Sequence, residues 1–134
     1  MREPKWVPRV VVEAAHFDQI RTHGGLAGLR DESALESALA RPRNRLAYGR
    51  KPDLARLAAA YAFGLARGHP FRDGNKRIAF LTAVVFLGLN GYELEATDDE
   101  VVAQMVALAA GRVSEARLAT WMRQHMRRQS DPAA

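Results

Sequence analysis

The chain has 134 residues, 48% hydrophobic and 26% charged, with no cysteine. That describes one globular domain with its own core, and it excludes disulfides, Cys-ligated zinc and thiol chemistry. The net charge of +5 and pI near 10.2 call for an acidic partner, whether nucleic acid, nucleotide or an acidic protein segment.

The elements read as helices in chain order. Pro8 suits a first helical turn, and Val11, Ala14, Ala15, Phe17 and Ile20 carry a first helix to about Thr22. Gly24, Gly25 and Gly28 break it. Asp31 can cap a second helix bearing Leu35, Ala38 and Leu39, predicted to stop near Pro42, with 43–51 as loop. Asp53 can cap a third, whose face holds Leu54, Leu57, Ala58, Tyr61, Ala62 and Leu65. The apolar run Ile78–Leu89 predicts a core helix closed by Asn90-Gly91. It is well short of the roughly 20 residues a membrane span needs. The opening Met1-Arg2-Glu3-Pro4-Lys5-Trp6 carries no apolar signal segment, so no membrane partner and a cytoplasmic location are expected. Thr97 to Glu100 spell a capping box for a fifth helix ending at Gly111, and Ser114 can open a sixth with Leu118, Trp121, Met122 and His125. The expected fold is all-α: six helices, one domain over 1–134, no strand, and loose ends at 1–7 and 129–134.

Between the third and fourth helices stands His69-Pro70-Phe71-Arg72-Asp73-Gly74-Asn75-Lys76-Arg77. A polar loop feeding a buried helix is a ready anion site, because the first helical N–H groups lack partners and carry partial positive charge. His69 can take a proton from a hydroxyl. Asp73 can hold Mg2+, which prefers oxygen ligands. Gly74 lets the backbone approach phosphate, Asn75 can orient phosphate or metal-bound oxygens, and Lys76 and Arg77 can neutralise them. Phe71 reads as a buried anchor pinning the loop. Arg67 can reach a phosphate or an acidic partner; the ordinary alternative is a cation at a helix C-terminus. Asp-Gly-Asn is a common turn in itself, and a lone histidine is usually structural. The full pattern should arise by chance on the order of once in a million such chains.

With this motif, His23-Gly24-Gly25-Leu26-Ala27-Gly28-Leu29-Arg30-Asp31, Leu35 to Pro42 and Asn90-Gly91-Tyr92, the chain resembles the Fic/Doc family, within it the Doc (death-on-curing) toxins, over most of residues 8–127. The resemblance implies a compact six-helix fold that moves part of a nucleotide onto a protein hydroxyl. Gly24, Gly25, Leu26, Gly28 and Leu29 would form a flap between the first two helices that pairs with an extended target. The Asn-Lys-Arg ending implies phosphoryl transfer from ATP with Mg2+, blocking translation through elongation factor Tu. Adenylylating members carry Gly where Lys76 stands and Arg where Phe80 stands. Gly74, however, is what those members use and Doc has Ala there, so AMP transfer stays open.

Many Fic relatives carry an inhibitory Ser/Thr-x-x-x-Glu-Gly/Asn helix. No such pattern occurs here, which implies a separate Phd-like antitoxin. A basic nucleic-acid-binding module is the alternative from another class. The absence of a recognition helix, and a loop carrying both His69 and Asp73, argue against direct nucleic-acid binding.

Overall fold

The computed structural model describes residues 2–130. Its elements are α1 (Arg9–His23), α2 (Glu32–Tyr48), α3 (Leu54–Gly68), α4 (Asn75–Leu89), β1 (Tyr92–Leu94), α5 (Asp98–Ala109), α6 (Glu115–His125) and β2 (Met126–Arg128). Helix α3 is the axis. It packs against α2, α4, α5 and α6, and Leu57, Ala58, Tyr61, Ala62 and Leu65 on it are shut from solvent. Its alanines let neighbours come close: a Cβ on Gly64 would lie 2.9 Å from Ala38 Cα of α2. Each fully buried leucine contributes about 1.5–3 kcal/mol of transfer free energy.

The helix starts follow local chemistry. Asp31 accepts from Ala34 N at 3.0 Å, Asp53 from Arg56 N at 2.9 Å and Ser114 from Arg117 N at 3.1 Å. Thr97 and Glu100 cap each other reciprocally at 3.2 Å, and those hydrogen bonds from Thr97 hold the exposed Glu100 carboxyl below its usual range.

Four expectations are corrected. Helix α2 does not stop near Pro42; it runs to Tyr48 with Pro42 buried inside it. A mid-helix proline costs roughly 3 kcal/mol, and tertiary contacts offset it here. Arg41 Nε and Arg45 Nε donate to the two oxygens of Glu115 on α6 at 2.5 and 2.6 Å, and the Arg43 guanidinium sits 4.9 Å from the Trp6 ring centre. Strands do exist: β1 and β2 pair antiparallel, Tyr92 with Arg128 and Leu94 with Met126. Three-residue strands are too short to show a period of two. The segment 2–7, expected to be loose, docks in its second half. Val7 is buried and its N–H donates to Tyr61 Oη at 3.1 Å, Trp6 stacks on Phe86 at 5.9 Å, and Lys5 exchanges two 2.9 Å hydrogen bonds with Asn90. Gln129 is likewise tied, its N–H donating to Gly91 O at 2.9 Å. Residues 131–134 of the expected loose tail, and Met1, lie outside the described residues. His125, placed on the apolar stripe, sits at the margin, with Nδ1 2.7 Å from Trp121 O and Nε2 3.0 Å from Glu100. The left-handed turn after α4 falls on Gly91 (φ +90°); Asn90 is at φ −107°. No helix among the described residues is long and apolar enough to cross a membrane.

Candidate active site

The motif begins where α3 ends. His69 takes a left-handed conformation (φ 49°, ψ 53°), one of two non-glycine residues at positive φ among the described residues. Such a residue is strained by roughly 1–3 kcal/mol and persists only where the surroundings impose it. Here they do. The Arg30 side chain donates to the carbonyls of His69 (2.7 Å) and Gly68 (3.1 Å), and the N–H groups of Arg30 and Asp31 both donate to Pro70 O. Arg72 N–H donates to Gly28 O at 3.0 Å, and Leu29 bridges Phe71. The motif loop and the 24–31 segment are therefore one hydrogen-bonded seam, although the segment has no regular strand.

Phe71 is 2% exposed and stacks on His16 of α1, ring centres 3.8 Å apart. Asn75, first residue of α4, is 5% exposed and its amide closes the loop. Oδ1 accepts from Phe71 N–H at 3.0 Å, Nδ2 donates to Phe71 O at 3.0 Å, and Nδ2 lies 3.2 Å from His69 Nδ1. The two Phe71 bonds set which way the amide faces. Asn75, expected to orient phosphate or metal-bound oxygens, also ties the loop to itself and touches His69, while it still lines the cleft.

Gly74 (φ +77°) precedes α4 and offers no side-chain cap, leaving the first N–H groups of the helix open. Lys76 and Arg77 are exposed in that first turn, and no acid stands there. Among the described residues, Arg72, Lys76 and Arg77 have no ion-pair partner. With His69, Asp73, Gly74 and Asn75 they line an open cleft of about 290 Å³. Two like charges at a helix N-terminus are unfavourable unless an anion offsets them.

Asp73 is half-buried. Its Oδ2 accepts from Leu26 N–H of the flap at 2.6 Å, and Oδ1 makes no hydrogen bond within the protein among the described residues. Among the described residues no cluster of three His, Cys, Asp or Glu exists. The donor set therefore suits a magnesium ion brought in with a triphosphate, held by one carboxylate and completed by phosphate oxygens and water. It does not suit a metal held by protein alone.

The sequence candidates divide accordingly. His69, Asp73, Gly74, Asn75, Lys76 and Arg77 meet in the cleft; Gly24, Gly25, Leu26, Gly28 and Leu29 are exposed, with Leu26 tied to Asp73, Gly28 to Arg72 and Leu29 to Phe71. Arg67 does not join them; its guanidinium lies over Phe63 at 5.4 Å and beside Gly111. Arg72 and Arg30 stood inside segments that carry the resemblance but were given no role, and His16 carries contacts that no motif signals. A larger crevice of about 460 Å³ lies elsewhere, at Asp53 and Arg123.

A polar loop, an exposed histidine, a carboxylate with a free oxygen and a cationic helix N-terminus together define a site for a protein that handles phosphate groups. The Fic/DOC family profile matches residues 6–87, which span α1 to α4 and the whole motif. The chain is 36% identical over 110 residues to "Protein kinase doc" of Escherichia phage P1, covering 82% of this chain and 86% of that protein. It is 44% identical over 78 residues to "Toxin Doc" of Mycolicibacterium smegmatis, covering 57% of this chain and 59% of that protein. The chain belongs to the Fic/Doc family.

Proposed function

We propose that this protein is a Doc-like toxin: a phosphotransferase that moves the γ-phosphate of ATP, with Mg2+, onto a hydroxyl of a protein target. The observation that carries the reading is the meeting of His69, Asp73 and the cations Lys76 and Arg77, which have no ion-pair partner among the described residues, at the open N-terminus of α4. The phage P1 relative, described as a protein kinase, supports it. Asp73 is the carboxylate that would hold the ion, which supplies neutralisation of phosphate charge. The His69 imidazole accepts the proton of the target hydroxyl. That oxygen bonds to the γ-phosphorus, the bond from phosphorus to the β–γ bridging oxygen breaks, and ADP leaves. The N–H groups of α4, Lys76 and Arg77 hold the oxygens on which charge gathers. The target is elongation factor Tu, translation stops, the site of action is the cytoplasm, and a Phd-like acidic antitoxin restrains the protein.

AMP transfer is the second reading, favoured by Gly74 in its left-handed conformation. Against it, Phe80 sits in an apolar groove with Val101 and Met105 instead of adding a cation to the cleft. Parallel reactions with ATP labelled at the α- or the γ-phosphate test the reading: the γ-label alone should reach the target. A Lys76→Gly, Phe80→Arg double variant should gain transfer of the α-label.

A further inference from the structure

We propose that His16, on α1 and far outside the motif, is the positioning residue that sets Asp73 and, through it, the flap. This rests on the reading of Asp73 as the metal ligand. His16 is 3% exposed, and among the described residues its one hydrogen bond is from Nε2 to Asp73 O at 2.7 Å, 57 residues away. A carbonyl only accepts, so Nε2 carries the proton. A leucine or phenylalanine would fill the same space without desolvating a polar ring, so this hydrogen bond is what histidine adds. That carbonyl receives no backbone N–H among the described residues; the helix bond of the next turn goes to Gly74 O, from Ile78 N–H.

The same ring stacks on Phe71 and approaches Gly74, where an added Cβ would lie 3.6 Å from Nε2. One side chain therefore grips residues 71, 73 and 74 together. From Asp73 the grip passes outward. Oδ2 holds Leu26 N–H, and a Cβ on Gly25 would lie 3.2 Å from Asp73 Cβ, so the flap rests directly on the carboxylate. If the Asp73 backbone rotates, its free oxygen leaves the cleft and the flap loses its tie. A group that orients a metal ligand in this way commonly changes metal affinity about 10- to 100-fold when removed.

Two variants separate the ring's hydrogen bond from its packing. His16→Phe keeps the stack and drops the donor; His16→Gln keeps a donor and drops the stack. Two readouts do not depend on catalysis: hydrogen exchange at the Leu26 amide, and affinity for Mg2+ in the presence of a non-hydrolysable ATP analogue. In His16→Phe, exchange at Leu26 should rise at least tenfold relative to the Arg30 and Asp31 amides, which are held by Pro70 O, and Mg2+ affinity should fall about 10- to 100-fold. His16→Gln should restore both toward wild type. A folded His16→Phe protein with Leu26 protection and Mg2+ affinity unchanged overturns the proposal. Should His16→Phe fail to fold, a His16→Gln protein with near-wild-type Leu26 protection and Mg2+ affinity supports it, and one that loses both overturns it. If the wild-type protein transfers nothing from ATP, the function above fails, while the Leu26 exchange comparison still decides the role of His16.

Discussion

Two helix N-termini in this molecule hold the same kinds of group and treat them oppositely. At α3, Asp53 caps the helix through Arg56 N–H, and its carboxylate also takes two donors from Arg123, at 2.8 and 3.1 Å. The two charges that line the crevice there, Asp53 and Arg123, satisfy each other. At α4, Gly74 supplies no cap, Asp73 turns one oxygen to Leu26 N–H, and Lys76, Arg77 and Arg72 face a cleft with no ion-pair partner among the described residues. A satisfied acid-and-arginine pair is structure. The same chemistry left incomplete at a rigid helix end is what the proposed function uses to hold phosphate.

Substitutions in the two places should therefore fail in different ways. The largest effect is expected for His69→Ala, which removes the proton acceptor from an exposed position. Transfer should fall about 100- to 10,000-fold while the melting temperature stays near wild type. A well-folded His69→Ala protein that still arrests growth at wild-type levels takes His69 out of that role. Asp73 comes next. Asp73→Ala should lose Mg2+-dependent nucleotide binding by calorimetry and free the Leu26 amide to exchange. Asp73→Asn should lose the binding yet keep much of the Leu26 protection, because an amide oxygen still accepts. Equal loss of protection in both variants would show that charge, not the hydrogen bond, ties the flap.

The α3 end should show the reverse pattern. Asp53→Ala should leave the transfer rate intact and cost about 1 kcal/mol of stability as a lost cap, roughly 3–5 °C in melting temperature for a domain of this size. The effect should depend on pH. Burial opposes the Asp53 charge, but hydrogen bonds from Arg123 and Arg56 N–H outweigh it and hold the carboxyl below its usual range. A carboxyl with a lowered folded pKa adds stability above its unfolded value, near about 4, and loses it as pH falls through the folded value. The gap in melting temperature between wild type and Asp53→Asn should be full at neutral pH and shrink below about pH 4. A gap that widens in acid would contradict the pairing.

What could be read from the sequence follows the range of the physics. The caps at Asp31, Asp53, Thr97 and Ser114 act within three residues, so they were legible. The motif packs its chemistry into nine residues, and six of its side chains do share one cleft. The continuation of α2 past Pro42 was not legible, because Glu115 of α6, some 70 residues away, holds Arg41 and Arg45 on either side of it. Nor was the β1–β2 pair, whose partners are distant and only three residues long. That the Asn75 amide also binds both backbone groups of Phe71 is a fact of geometry that its residue type does not announce. Nothing in the sequence marks His16, because its partner is a main-chain carbonyl, which leaves no trace in residue types.

The central claim is that the unpaired cleft of α4 delivers a phosphoryl group. Its most direct test is the intact mass of elongation factor Tu after incubation with the protein, ATP and Mg2+, with the His69→Ala protein as control. An increment of about 80 Da that vanishes with the control is the result predicted here. An increment of about 329 Da, the mass of an added AMP group, would contradict it.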